Sequence, residues 1–157
     1  MHINIKNKKL GNFSQPYVIA EIGINHNGSE NHARKLIDQA HNSGCQAVKF
    51  QKRNPDLCVP ENQKDLKRET PWGVMTYLEY KWKIEFSVEQ YQSLRGYTKS
   101  LGMDFIVSCW DEESVDDIES NVEVDYHKVA SALVTDISFL KKLKTKQGTK
   151  YFKTILL

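Results

Sequence analysis

The apolar positions of this chain come in short bursts, each closed by polar or glycine punctuation. Tyr17 to Glu21 (YVIAE) is an apolar, β-branched run that stops at a carboxylate and predicts a strand. The stretch 22–28 (IGINHNG), rich in Gly and Asn, predicts a loop. Ser29 can cap a helix in which Ala33, Leu36, Ile37 and Ala40 recur at helical spacing, and Gly44 ends it. Gln46 to Gln51 (QAVKFQ) predicts a second strand. Strand, helix and strand within about 35 residues form a βαβ unit, which implies parallel strands.

Residues 52–86 break the rhythm and carry Pro55, Pro60 and Pro71. Their aromatics, Trp72, Tyr77, Tyr80, Trp82 and Phe86, predict an ordered insert. Lys64, Lys67 and Arg68 read as a solvated loop or helix face. The alternation then resumes. Ser87 and Gln90 have capping-box spacing, and Gly102 closes the helix they begin. Asp104 to Ser108 predicts a third strand, Asp111 to Glu119 a short helix with an acidic start, and Asp125 to Ala130 a fourth strand. A helix over Asp136 to Lys144 follows, and Tyr151 to Leu157 reads as the start of a fifth strand.

This pattern predicts an α/β fold with sheet order following the chain, because neighbouring β/α units connect right-handedly. Four to five such units suit either a partial (β/α)8 TIM barrel or a doubly wound sheet. A complete barrel takes about 250 residues, so the 157 residues are expected to form a single unit, 1–157, holding about the first half of one.

Composition narrows the classes. A hydrophobic fraction of 39% with 27% charged residues fits a globular chain rather than a disordered one. A net charge of +2, with no Lys/Arg cluster interleaved with aromatics, argues against nucleic acid. No apolar stretch reaches about 18 residues, so no membrane span is expected. The N-terminus lacks the apolar segment of a signal peptide. Cys45, Cys58 and Cys109 are odd in number and widely spaced, which fits neither a disulfide framework nor a zinc site and suggests a cytoplasmic setting.

Candidate chemistry gathers at the strand ends, where parallel β/α folds hold their sites. Glu21 ends the first strand, Lys49 and Gln51 lie at the end of the second, Ser108 ends the third, and Lys128 lies on the fourth with Ser131 just beyond. Period-2 geometry puts Val48 and Phe50 on one face and Ala47, Lys49 and Gln51 on the other. Apolar core strands do not need lysines near their ends, since a buried lysine without a partner is costly. Two lysines, a serine hydroxyl and backbone amides converging at a barrel mouth would suit phosphate and carboxylate. Glu21 is placed to act as acid or base, or to orient a sugar or water. The plainer alternative is that Glu21 and a lysine simply form a barrel-end ion pair. His26 reads as a loop hydrogen-bonding residue, His2, His32 and His41 as surface residues, and His127 as packing. No histidine pair has metal-ligand spacing, and no metal site is expected within these residues.

YVIAEIGINHNGS followed by GCQAVKFQ resembles the opening of the sialic acid synthases, the family of N-acetylneuraminate, legionaminate and pseudaminate synthases. FIVSCWDEESVD and YHKVASALVTD resemble its next strand ends, and RETPWGVMTYLEY resembles its bacterial legionaminate/neuraminate branch. The resemblance implies a TIM barrel followed by an antifreeze-like domain, in a homodimer. It implies condensation of phosphoenolpyruvate with an N-acetylmannosamine-type amino sugar, with a divalent metal, Mn2+ or Mg2+. By the same resemblance Lys49, Lys128 and Ser131 match phosphoenolpyruvate-binding positions, Glu21 the acidic residue near the reacting centre, and Gln51 a sugar-side position.

Two departures qualify this. Cys109 stands where many relatives have a threonine, replacing a hydroxyl donor to phosphate by a weak thiol donor. The family's two metal-binding histidines belong to the later barrel half, and the tail KQGTKYFKTILL does not resemble the family's fifth strand. A truncated chain, inactive alone, is therefore expected. The alternatives are a non-catalytic remnant or binding module, or an aldolase-like TIM-barrel enzyme acting on a phosphorylated metabolite.

Overall fold

The computed structural model describes residues 3–5, 8–11, 14–145 and 151–152, with side chains for residues 10, 11 and 14–143. His2 and most of the expected fifth strand, residues 153–157, lie outside the described residues.

A short antiparallel hairpin, β1 (Ile3–Ile5) and β2 (Lys8–Leu10), precedes the alternating part. Strand β3 (Ile19–Gly23) leads to helix α1 (Glu30–Asn42), whose N-cap Ser29 accepts a hydrogen bond from the His32 backbone N–H. Strand β4 (Ala47–Lys52) follows. After the insert come α4 (Val88–Ser100), β7 (Asp104–Cys109), α5 (Glu112–Asn121), β8 (Tyr126–Lys128), α6 (Ile137–Thr145) and β9 (Tyr151–Phe152). Ser87 and Gln90 close the expected capping box, and Asp111 caps α5.

The main sheet has the order β3-β4-β7-β8-β9, following the chain, with every pair parallel. Helices α1, α4, α5 and α6 pack successively against one another. They cover one sheet face, burying Ile37, Val48, Phe50, Leu94, Phe105 and Ile118 between them. This single helical layer distinguishes the fold from a doubly wound sheet, which carries helices on both faces. The chain has the α/β fold of a partial (β/α)8 barrel.

The opposite, inner face has its own smaller apolar cluster. Ala47, Ile106 and Tyr126 pack there with Leu10, Tyr17 and Ile19, so β2 plugs this face at the amino ends of the strands. Nearby, Lys99 bridges Asp104 at 3.4 Å and Asp125 at 2.9 Å, tying α4 to this end of the sheet.

The insert is ordered, as its aromatics predicted. It comprises α2 (Pro55–Cys58), a 3-10 turn at Glu61–Gln63, the antiparallel hairpin β5 (Lys67–Thr70) and β6 (Gly73–Thr76), and α3 (Tyr77–Ile84). Lys67 and Arg68 are exposed as expected, but on a strand rather than a loop or helix. Pro71 and Gly73 flank Trp72 in the two-residue turn, and Thr70 Oγ1 locks it by accepting from the Trp72 N–H at 3.2 Å.

Candidate functional site at the carboxyl ends of the strands

Strand alternation builds the site directly above the inner apolar cluster. Two residues beyond Ile19, Ala47, Ile106 and Tyr126 on the same face come Glu21, Lys49, Ser108 and Lys128. The register staggers this row along the shared face: Glu21 stands opposite Lys49, which is level with Ile106, and Gln51 stands opposite Ser108, two residues further on. Each of these strands thus changes from apolar to polar as it nears its carboxyl end.

The row is cationic and buried. Lys49 and Lys128 are only 6% and 8% exposed, and Ser108 is fully enclosed. Lys49 forms an ion pair with Glu21, whose side chain is half exposed. The plainer expectation for Glu21, an ion pair with a strand lysine, is therefore realised. Burial lowers the Lys49 pKa; Glu21 opposes that shift and the nearby Lys128 charge adds to it. Among the described residues no carboxylate pairs with Lys128. Two buried lysines thus stand near one another with one partly solvated carboxylate, paired to Lys49, in a place where an unpaired cation is expensive.

Gln51 completes the row beside Gly23. A Cβ on Gly23 would lie 3.1 Å from Glu21 Oε1 and 3.4 Å from Gln51 Nε2, so both side chains lean over a glycine held at φ +58°. Ser131 is not part of the buried row. It is exposed, in a 3-10 turn at Ser131–Leu133 just past β8.

Cys109 corrects one sequence expectation. Its thiol does not face the row, so it replaces no donor there. It points into the helical layer, 3.4 Å from the Ser114 carbonyl oxygen and 3.9 Å from His127 Nδ1. Complete burial raises the thiol pKa well above its usual value. His127 packs on the same side, with Nε2 against Glu119. His26 is more than a loop hydrogen-bonding residue. Nδ1 accepts from the Gly28 N–H at 3.1 Å, while the ring is buried and stacked on Phe86 at 3.9 Å. Burial lowers its pKa to about 4.

Sequence reading missed a second group at the rim. Arg53, one residue past β4, lies with Nε 3.0 Å from Glu85 Oε1, and its guanidinium carbon is 5.2 Å from the centre of the Trp110 ring. Burial raises the Glu85 pKa to about 7, although Arg53 and Lys52 oppose the shift. The only sequence signal was the basic pair Lys52-Arg53 at the carboxyl end of the second strand.

Among the described residues no group of three or more His, Cys, Asp or Glu side chains is placed to hold a metal ion. The divalent metal that the resemblance implies therefore finds no ligand set in these residues. No helix among the described residues is long and apolar enough to cross a membrane.

A one-sided β/α layer with buried lysines at its strand ends defines a barrel-type protein. Residues 36–152 match the NeuB family, and the chain belongs to that family. It is 40% identical over 130 residues to N-acetylneuraminate-9-phosphate synthase of Drosophila melanogaster, covering 80% of this chain and 34% of that protein. It is 32% identical over 143 residues to N,N'-diacetyllegionaminic acid synthase of Legionella pneumophila, covering 89% of this chain and 40% of that protein. In fold it resembles the N-acetylneuraminic acid synthetase of Leptospira borgpetersenii solved with citrate. The TM-score is 0.79 at 23% identity, over 96% of this chain and 48% of that one. The chain thus spans about a third to two-fifths of the length of these curated relatives.

Proposed function

We propose that this chain carries the phosphoenolpyruvate-binding face of a sialic-acid-synthase-type site. That site condenses phosphoenolpyruvate with an N-acetylmannosamine-type amino sugar. The observation that carries the reading is the presence of two buried, mutually interacting lysines, Lys49 and Lys128, on one sheet face, with one partly solvated carboxylate, Glu21, paired to Lys49. An anionic ligand supplies the missing negative charge. Phosphoenolpyruvate brings a phosphate and a carboxylate, both suited to charge-assisted hydrogen bonds from ammonium groups.

In this reading Lys49 and Lys128 bind the two anionic groups, and the Ser108 hydroxyl donates to one of them. Ser131, exposed in the turn just past β8, contributes a further hydroxyl to the ligand in this reading. Glu21 balances Lys49 and orients the sugar or the attacking water. Gln51 serves the sugar side. The carbon–carbon bond forms between the enol carbon and the sugar aldehyde; water then adds, and phosphate leaves. The described residues supply binding groups but no Lewis acid for the aldehyde, so they are expected to bind without turning over.

The test is to purify residues 1–157 and measure phosphoenolpyruvate binding by calorimetry. Phosphate release is then followed with N-acetylmannosamine and Mn2+ present. Saturable binding without phosphate release is the expected result. Absence of phosphoenolpyruvate binding would remove the reading, and metal-dependent turnover would show that a metal site exists within this chain.

A further inference from the structure

The rim group around Arg53 takes no part in the charge balance of Lys49 and Lys128. It meets the inner face through one contact, to the side-chain amide of Gln51. Arg53 Nη2 donates to Gln51 Oε1. Arg53 is itself gripped from two elements. Glu85, at the end of α3, forms an ion pair with it, Oε1 lying 3.0 Å from Nε, and Oε2 accepts a hydrogen bond from the Arg53 backbone N–H at 3.4 Å. Trp110, just past β7, lies against the guanidinium. The Gln51 backbone is pinned as well, because the Tyr91 hydroxyl donates to its carbonyl oxygen at 2.6 Å.

The two ends of an amide are sterically alike and electrically opposite. Arginine has donors only, so a guanidinium fixed beside Gln51 can face its carbonyl oxygen but not its NH2 group. With the oxygen turned to Arg53, Nε2 is the end that leans over Gly23 toward Glu21.

We propose that Arg53 is a positioning residue, holding the Gln51 amide with its NH2 group toward Glu21, where it donates to an acceptor oxygen of the sugar-side ligand. The inference rests on the reading of the site given above. Glu85 and Trp110 act one step further back, by holding Arg53. Lysine cannot replace it fully, since an ammonium lacks the planar fork that meets Glu85 and Gln51 together.

The experiment is side-chain amide NMR on 15N-labelled residues 1–157. In the wild type the Gln51 NH2 protons are expected as two well-separated, exchange-protected signals. Arg53→Ala should collapse them toward free glutamine, and Arg53→Lys should give an intermediate pattern. Because Arg53→Ala strands the buried Glu85 carboxylate, the double variant Arg53→Leu with Glu85→Leu provides a charge-free control whose fold is checked on the backbone spectrum. A folded double variant with unchanged Gln51 signals would overturn the proposal. Adding N-acetylmannosamine to the phosphoenolpyruvate-loaded wild type should then shift the Gln51 NH2 signals, and should not shift them in the double variant. If phosphoenolpyruvate binds but the sugar leaves Gln51 unmoved, the role assigned to Arg53 falls. If phosphoenolpyruvate itself does not bind, it is the reading of the whole site that falls.

Discussion

Glu21 and Lys49 stand directly opposite each other across the parallel β3–β4 pair, and their side chains meet in an ion pair on the face that also carries Ser108 and Lys128. The lysine is buried and its partner half exposed, so the pair cannot be read as a surface salt bridge on one side or a sealed one on the other. Lys49 is poised between a carboxylate that favours its charge and a second lysine that opposes it.

Single substitutions should therefore move the Lys49 titration in opposite directions. Glu21→Gln removes the group that holds its pKa up, and Lys128→Met removes one that holds it down. Following the Lys49 side chain by NMR through alkaline pH should show a lower midpoint in the first variant and a higher one in the second. Shifts of the same sign in both would contradict the arrangement.

Gly28→Ala should be among the most destabilising changes in the β3–α1 loop. Gly28 has φ +71°, and a Cβ there would collide with the Lys83 carbonyl oxygen at the end of α3. The left-handed conformation costs a non-glycine residue about 1–2 kcal/mol, and forced overpacking about 1–3 kcal/mol more. Urea unfolding should report a loss of about 2–5 kcal/mol; a loss under about 0.5 kcal/mol would mean that the loop and α3 do not approach as described.

His26 and Glu85 should tilt the pH dependence of stability in opposite senses. Burial lowers the His26 pKa from 6.5 to about 4, so its stabilising contribution is present above pH 6.5 and is lost as pH falls toward 4. Burial raises the Glu85 pKa from 4.5 to about 7, so the folded state holds the extra proton and loses stability as pH rises from 4.5 to 7. Relative to the wild type, His26→Phe should lose less stability on acidification. Glu85→Gln should lose less as pH rises through that window. Parallel pH profiles for the wild type and both variants would contradict these burial assignments.

Much of this was legible in the sequence because it depends on local alternation. The apolar and polar residues of QAVKFQ separate by a period of two, which was enough to put Val48 and Phe50 under the helices and Lys49 and Gln51 on the inner face. The same rule, applied to Ser108 and Cys109, would have turned the thiol away from the row; adjacent strand residues face opposite sides. The Arg53 group was not legible, since its members are brought together by tertiary folding. Arg53 and Glu85 are 32 residues apart, at opposite ends of the insert, and Trp110 belongs to another β/α unit. Nor did helical or strand period reveal the β5–β6 hairpin, whose signal was the turn chemistry of Thr70, Pro71 and Gly73.

The central claim is that Lys49 and Lys128 together form an anion site for phosphoenolpyruvate. Calorimetric titration of phosphoenolpyruvate into residues 1–157, compared with Lys49→Met and Lys128→Met, tests it most directly; methionine keeps the buried stem while removing the charge. Each ammonium contact is worth roughly 1.5–3 kcal/mol, so each variant should bind about ten- to a hundredfold more weakly. Binding by both variants as tight as that of the wild type would contradict the account.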